Sequence, residues 1–481
     1  MTQTDRARKV ELAITDLGSE GQGIGRAGDL VVFVPGALPG DRVEALVPGG
    51  AGPGRRFLEA ELARVVEPSP SRVDPACLAA PDCGGCQLLA LSYPAQLEWK
   101  TKVVREALRR VGRLDSVAVP PCLGAPLPLG YRNKAQFPIV AVRQAKKGGG
   151  PVSLRSGLYR RGSHEVIPVE GCLLQHPTNN AVLAAAVRIA SELGVTAYDE
   201  DTGVGLLRHV LARVSQDGHQ AMAVFVTSQV AFPMGRRLAA ALRQAVPEVW
   251  TVLQNINPRR TNVILGPRDV VLSGPGHITD TLGGLRFRVS PSSFFQVNPS
   301  QTEALYEVVA RMASGAQRVA DIYCGVGTIT LFLAARLKGL EEIVGVELSL
   351  AAVRDAVANA KANGIRNAGF IRGDAAAVLA DMAGEGIPVD TVVLDPPRKG
   401  CEPAVLEAVR RLACRRVVYV SCNPATLARD LGILSAGGYL VREAQPVDMF
   451  PQTAHVECVV RLDRPEGGEG CPSSTIREEN T

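Results

Sequence analysis

Val417-Val418-Tyr419-Val420-Ser421-Cys422-Asn423-Pro424 is the stretch on which the reading of the whole chain turns. Four β-favouring residues run into a serine and a cysteine, and Asn423-Pro424 stops the strand. A run apolar on both faces predicts a strand buried in a parallel sheet. Ligands of open α/β sheets sit just beyond the carboxyl ends of such strands, which is where Cys422 falls. Alone, a cysteine there reads first as a small buried hydrophobe. Two more stretches end in the same way: Thr391-Val392-Val393-Leu394-Asp395-Pro396-Pro397-Arg398, and Asp321-Ile322-Tyr323-Cys324-Gly325-Val326-Gly327-Thr328 with its glycine turn. Three such strand ends predict one active-site cleft.

Working outward, strands are expected at 318–322, 342–347, 369–372, 391–395 and 416–421, with helices at 328–338, 350–363 and 403–412. Residues 439–443 and 456–462 complete the sheet. This alternation predicts a doubly wound α/β domain over 291–464. Residues 1–67 hold short strands with glycine turns, the pattern of a small barrel of the OB-like kind that often holds oligonucleotides. Residues 68–290 read as a central α+β domain, with helices near 94–113, 177–193 and 233–245. The Gly-, Ser- and Glu-rich tail, 465–481, is expected to be disordered.

The chain has 481 residues, enough for several domains with cores of their own. No run approaches the roughly 18 apolar residues of a membrane span, and Met1-Thr2-Gln3-Thr4-Asp5-Arg6 is no signal peptide, so a cytoplasmic protein with no membrane partner is expected. Eleven cysteines then argue for thiols or metal ligands rather than disulfides. A net charge of +5 permits nucleic acid without demanding it. Local patches point the same way. Lys102, Arg105, Arg109 and Arg113 form a basic helical stripe, Tyr131-Arg132-Asn133-Lys134-Ala135-Gln136-Phe137 mixes cations, amides and aromatics, and Lys146–Pro151 reads as a mobile hairpin tip. No obligate protein partner is expected.

Cys77, five residues, then Cys83-Gly84-Gly85-Cys86 make a ligand loop, since two glycines let the backbone fold around an ion or cluster. A fourth thiolate would come from Cys172 or Cys122, and spacing does not separate zinc from iron–sulfur.

A glycine turn such as Gly325-Val326-Gly327 is shared with dinucleotide dehydrogenases, and Glu347 suits ribose hydroxyls in either class. Asp374 is placed to meet a base edge. Asp395-Pro396-Pro397 suits methyl transfer from S-adenosylmethionine. Methyltransferases of exocyclic amines carry similar tetrapeptides but need no cysteine nucleophile, and Ser421-Cys422-Asn423-Pro424 supplies one. The C5 carbon of uracil is a poor nucleophile. A thiolate adding at C6 makes an enolate whose C5 attacks a methyl sulfonium, and a base must then remove the C5 proton. Glu457, in Thr453-Ala454-His455-Val456-Glu457-Cys458, is the carboxylate of choice, with His455 its rival. The competing readings are an exocyclic-amine methyltransferase and an RNA-binding protein with a vestigial cofactor site. A dead site has no reason to keep the glycine turn, Glu347, Asp395, Cys422 and Glu457 together.

Residues 1–67 resemble the TRAM domain, through Gly21-Gln22-Gly23-Ile24-Gly25 and Val34-Pro35-Gly36-Ala37-Leu38-Pro39-Gly40-Asp41. From there to about residue 463, the chain resembles the uracil-C5 RNA methyltransferase family, bacterial enzymes that make 5-methyluridine in ribosomal or transfer RNA. The resemblance implies a Rossmann-like class I methyltransferase domain, Cys422 as nucleophile and Glu457 as base. It puts Gln296, Tyr323, Thr328, Glu347, Asp374 and Asp395 on the S-adenosylmethionine positions. It also implies a four-iron, four-sulfur cluster on Cys77, Cys83, Cys86 and Cys172, and RNA as substrate, ribosomal rather than transfer RNA. The helix at 94–113 is expected to pack on the methyltransferase domain.

Overall fold

The structure, a computed structural model, describes residues 8–48, 56–80, 82–143 and 152–465. The expected hairpin tip at Lys146–Pro151 and all but the first residue of the 465–481 tail lie outside them.

The N-terminal sheet has six strands in the order Phe57–Glu59, Leu30–Val34, Gly23–Ala27, Arg8–Leu17, Arg42–Val47, Glu61–Glu67. Its two edge strands are joined by Ala60 alone, so the sheet curls round into a barrel-like shell over Leu12, Ile14, Val32, Val34 and Val43.

The second sheet has seven strands, in the order Arg268–Ser273, Val249–Ile256, Ala221–Thr227, Leu207–Val214, Lys134–Arg143, Val152–Tyr159, Val166–Pro168. Helices Pro177–Glu192 and Gly235–Ala245 cover one face through Val182, Leu183 and Leu238. The alternate residues Leu211, Met222, Val224 and Leu253 pack on the other face, in one core with the C-terminal domain. Both faces are buried, which explains why Leu207–Val214 and Ala221–Thr227 are buried at every position.

The C-terminal sheet runs Ala368–Arg372, Glu342–Glu347, Arg318–Ile322, Thr391–Leu394, Arg416–Ser421, Glu457–Asp463, Leu440–Val447. The first five strands are parallel, and Glu457–Asp463 inserts antiparallel to both of its neighbours. An antiparallel strand starts at the edge where parallel strands end, so Glu457 joins the carboxyl ends at which Cys422 and Asp395 lie. Packing does not follow sequence order. Helix Tyr93–Arg110 buries Val104 and Leu108 in one core with Leu427, Ala428 and Leu431 of helix Pro424–Ala436. The hairpin Ile278–Leu282/Leu285–Val289 also packs on the C-terminal core, through Ile278 and Phe287.

Two helices differ from the sequence-based expectation. Ala375–Gly384 is short and alanine-rich, marked only by Val378, Leu379 and Met382, and Asp374 caps it by accepting from the Ala376 and Ala377 amides, 3.1 Å each. Pro424–Ala436 follows Cys422 after one residue. Asn423-Pro424 both stops the strand and starts this helix, with the Asn423 side chain accepting from Ala425 and Thr426 amides.

Candidate active site

The cofactor side starts at the turn after Arg318–Ile322. Tyr323 there takes a left-handed φ of 69°, uncommon for a residue with a Cβ, and its amide and that of Cys324 donate to the Val346 carbonyl at 3.0 and 3.1 Å. The Glu347 carboxylate accepts from the Gly325 amide at 3.2 Å and the Ser349 amide at 2.8 Å, which ties the ends of two neighbouring strands. Thr328 opens the following helix, and its hydroxyl shares a 2.8 Å hydrogen bond with the buried Tyr306. Asp374 is exposed at the next strand end with its cap engaged. Gln296 is buried in the loop before helix Pro299–Met312. Asn133 of the central domain donates to its carbonyl (3.2 Å), and the fully buried Arg213 donates to the carbonyls of Ser293 and Phe295 at 3.0 and 3.2 Å. Central-domain side chains therefore set the loop that carries Gln296.

On the reactive side, the ladder between Arg416–Ser421 and Glu457–Asp463 ends on the pair Ser421 and Cys458, which brings Cys422 and Glu457 to the same end of the sheet, near enough for the Glu457 charge to act on the Cys422 thiol. Cys422 is half-buried, whereas Glu457 is buried. Burial pushes the Glu457 carboxyl up to about 8, helped by the Asp395 charge and opposed by Arg398. Burial raises Asp395 to about 7. The Cys422 thiol stands at about 11, raised by burial and by Glu457 and lowered by Arg398. Arg398 is a residue that the sequence reading quoted but gave no task. Its carbonyl accepts from the Asn423 side-chain amide and the Thr426 hydroxyl, each at 3.2 Å, which ties the Asp395–Arg398 turn to the Cys422 turn. Its guanidinium donates to His455 Nε2 at 3.2 Å. Burial first, then Arg398 and other cations, lower His455 to about 4. The rival base is thus a neutral ring whose acceptor nitrogen is taken. Its place directly after Asp395-Pro396-Pro397 was the signal that could have singled out Arg398.

Beyond His455 the Phe450 ring stands edge-on at 6.0 Å, with Arg132 over Phe450 at 5.8 Å. Arg132 also lines a cavity of about 490 Å³ shared by Cys77, Cys83, Cys86 and Cys172 with Phe137, Leu158, Leu174 and Phe294. Burial and the other three thiols raise Cys86 to about 12. Cys122, the other candidate fourth ligand, lies instead in the C-terminal core, its amide donating to Thr101. Among the described residues, no group of three or more His, Cys, Asp or Glu is gathered around a single-ion position. The four thiols that line this largely apolar cavity are donors of the type that both zinc and iron–sulfur sites use.

The basic stripe behaves differently from expectation at Lys102, which ion-pairs with Asp16 of the barrel at 2.7 Å. Arg109 pairs with Glu106 on its own helix. No helix among the described residues is long and apolar enough to cross a membrane.

A family model described as tRNA (Uracil-5-)-methyltransferase matches residues 278–465, and the TRAM domain model matches residues 3–62. An uncharacterized RNA methyltransferase of Halalkalibacterium halodurans is 42% identical over 459 residues, 94% of this chain and 96% of that protein. A second, from Geobacter sulfurreducens, is 43% identical over 460 residues, 95% of this chain and 90% of its own length. Among solved structures, the tRNA (uracil-54, C5)-methyltransferase of Pyrococcus abyssi in complex with S-adenosyl-L-homocysteine matches with a TM-score of 0.72 and 26% identity, over 94% of this chain and 100% of that one. With a TRAM barrel, a methyltransferase sheet and these relatives, the chain belongs to the uracil-C5 RNA methyltransferase family and is an S-adenosylmethionine-dependent RNA (uracil-5-)-methyltransferase.

Proposed function

We propose that the chain methylates C5 of an unpaired uridine through a covalent adduct between Cys422 and C6 of the base. The observation that carries this reading is the Ser421–Cys458 pairing, which brings Cys422 and the buried Glu457 to the same end of the sheet. The Cys422 sulfur bonds to C6, and the electron pair freed at C5 takes the methyl group as the bond from that carbon to the sulfonium breaks. Glu457 accepts the C5 proton, the C5–C6 double bond re-forms and the sulfur leaves. Arg398 stabilises the thiolate, since its charge already lowers the Cys422 thiol. Glu347 takes the ribose hydroxyls of S-adenosylmethionine, Asp374 the base edge, and Tyr323, Thr328, Gln296 and Asp395 the remaining walls. A sulfonium bound beside Asp395 would favour the ionised form of that carboxyl, which burial otherwise raises.

Cys77, Cys83, Cys86 and Cys172 are proposed to hold a four-iron cluster as a folding staple, because methyl transfer moves no net electrons. The substrate is proposed to be ribosomal RNA. The Pyrococcus abyssi enzyme named above is a tRNA methyltransferase, so both RNAs belong in the test. Mass spectrometry of ribosomal and transfer RNA from a deletion strain should show 5-methyluridine lost from the former; loss from transfer RNA alone overturns that target. Cys422→Ala should abolish turnover and leave S-adenosylmethionine binding nearly intact. Methylation retained above about a thousandth of wild type would sink the nucleophile assignment.

A further inference from the structure

Glu457 is the first residue of its strand, so its aim depends on the crossover 448–456 that delivers the chain to it. The pivot of that crossover is Gln452, a buried residue held at a left-handed φ of 70°. A non-glycine residue stays there only where its surroundings over-determine it. The Gln452 amide donates to Gln96 Oε1 at 3.0 Å, and Gln96 Nε2 donates back to Gln452 Oε1 at 2.9 Å. The Gln452 carbonyl accepts from the Leu88 amide at 3.0 Å, and its Nε2 reaches the Pro128 carbonyl at 3.5 Å. Every polar group of the strained residue therefore has a partner, and every partner comes from a segment more than 300 residues earlier.

Gln96 is itself fully buried on helix Tyr93–Arg110, with its Nε2 also reaching the Leu88 and Leu91 carbonyls at 3.0 and 2.8 Å. Gln87 supplies a second grip nearer the base. Its Oε1 accepts from the Ala454 amide at 3.3 Å, while its Nε2 donates to the Gly84 carbonyl at 2.8 Å. Gln87 follows Cys86 directly, so the cysteine loop is fastened to the crossover through one side chain.

We propose that Gln96 and Gln87 are positioning residues for the reaction, forming an amide clamp on the strained Gln452 that aims Glu457 at the C5 proton. The proposal rests on the reading of Glu457 as the base. Because the clamp acts on the base and not on Cys422, its loss should slow release of the RNA adduct more than formation of it.

The test uses the full-length protein as purified, with single-turnover methyl transfer and decay of the RNA–protein adduct on denaturing gels as separate readouts. Gln96→Leu keeps the side-chain volume and removes both amide bonds to Gln452. Methyl transfer should stay within about threefold of wild type while adduct release slows by about tenfold or more. Adding Gln452→Gly, which adopts positive φ without a clamp, should recover release in the Gln96→Leu background. Transfer and release falling together, or a lowered melting temperature with release unchanged, overturns the proposal. If Gln96→Leu does not fold, Gln87→Ala at the half-buried edge carries the same expected split, and its absence has the same force. Glu457→Gln is run beside them. Failure of that variant to accumulate adduct removes the base assignment itself, whereas adduct with Glu457→Gln and wild-type release with Gln96→Leu removes only the clamp.

Discussion

Cys422 and Glu457 lie at the same end of the sheet because Ser421, just before the cysteine, pairs with Cys458, just after the glutamate, and because Glu457–Asp463 is inserted between two strands that precede it in the chain. The cysteine leaves its strand at the edge where the glutamate enters its own. Two groups 35 residues apart in sequence thus meet at the same end of the sheet through backbone hydrogen bonds alone.

The raised Glu457 carboxyl gives a pH dependence with a definite sign. If Glu457 is the base, release of the methylated adduct needs its carboxylate, so the release rate should rise with pH up to about 8. Stability runs the other way. A carboxyl raised on folding contributes its stability in full below the unfolded value and loses it as pH climbs through about 8. Relative to Glu457→Gln, the wild type should therefore lose stability between roughly pH 5 and 8, by at most about 1.4 kcal/mol per pH unit. Urea titrations of both proteins at pH 5 and 8 measure it, and a constant difference contradicts the raised carboxyl.

Lys100 and Lys102, two residues apart, should differ sharply. Lys100 and Asp448 are both fully buried, and Tyr93 also donates to Asp448 at 2.9 Å. Lys100→Ala strands a buried carboxylate and should cost about 3–5 kcal/mol. Lys102 and Asp16 are half exposed, so Lys102→Ala should stay within about 1 kcal/mol. Denaturant midpoints of the two variants check this, and equal losses would contradict the burial argument.

Cys172 and Cys122 give opposite expectations under the proposed cluster. Cys172→Ser should lose bound iron and its visible absorbance and lower the thermal midpoint, since Cys172 lines the cavity with the other three thiols. Cys122→Ser should keep the iron, because Cys122 lies in the C-terminal core. Iron retained by Cys172→Ser would remove it from the ligand set.

RNA binding by the barrel is best tested without deleting it, since Leu17 and Leu38 pack there on Leu88, Leu91 and Trp99. Arg26 is exposed on strand Gly23–Ala27. If it meets a phosphate, Arg26→Ala should weaken RNA binding and make the log–log salt slope shallower by roughly 0.7 for a single strand. S-adenosylmethionine affinity should not change. An unaltered slope assigns Arg26 no phosphate.

The sequence by itself determined the local events. Apolar runs ending in Asp395 and Cys422, and the glycine turn after Ile322, marked three strand ends because strand propensity and turn chemistry are properties of neighbouring residues. Helix Ala375–Gly384 escaped because it is short and alanine-rich, with only Val378, Leu379 and Met382 to mark a helical period. Only the tertiary structure decided what each strand end faces. The pairing of Arg416–Ser421 with Glu457–Asp463, the grip of Gln96 on Gln452 and the placing of Cys172 on one cavity with Cys77, Cys83 and Cys86 all join residues far apart in the sequence. Register and chain crossover set such contacts, and both depend on burying two faces of a sheet at once, a condition that no local window of sequence contains.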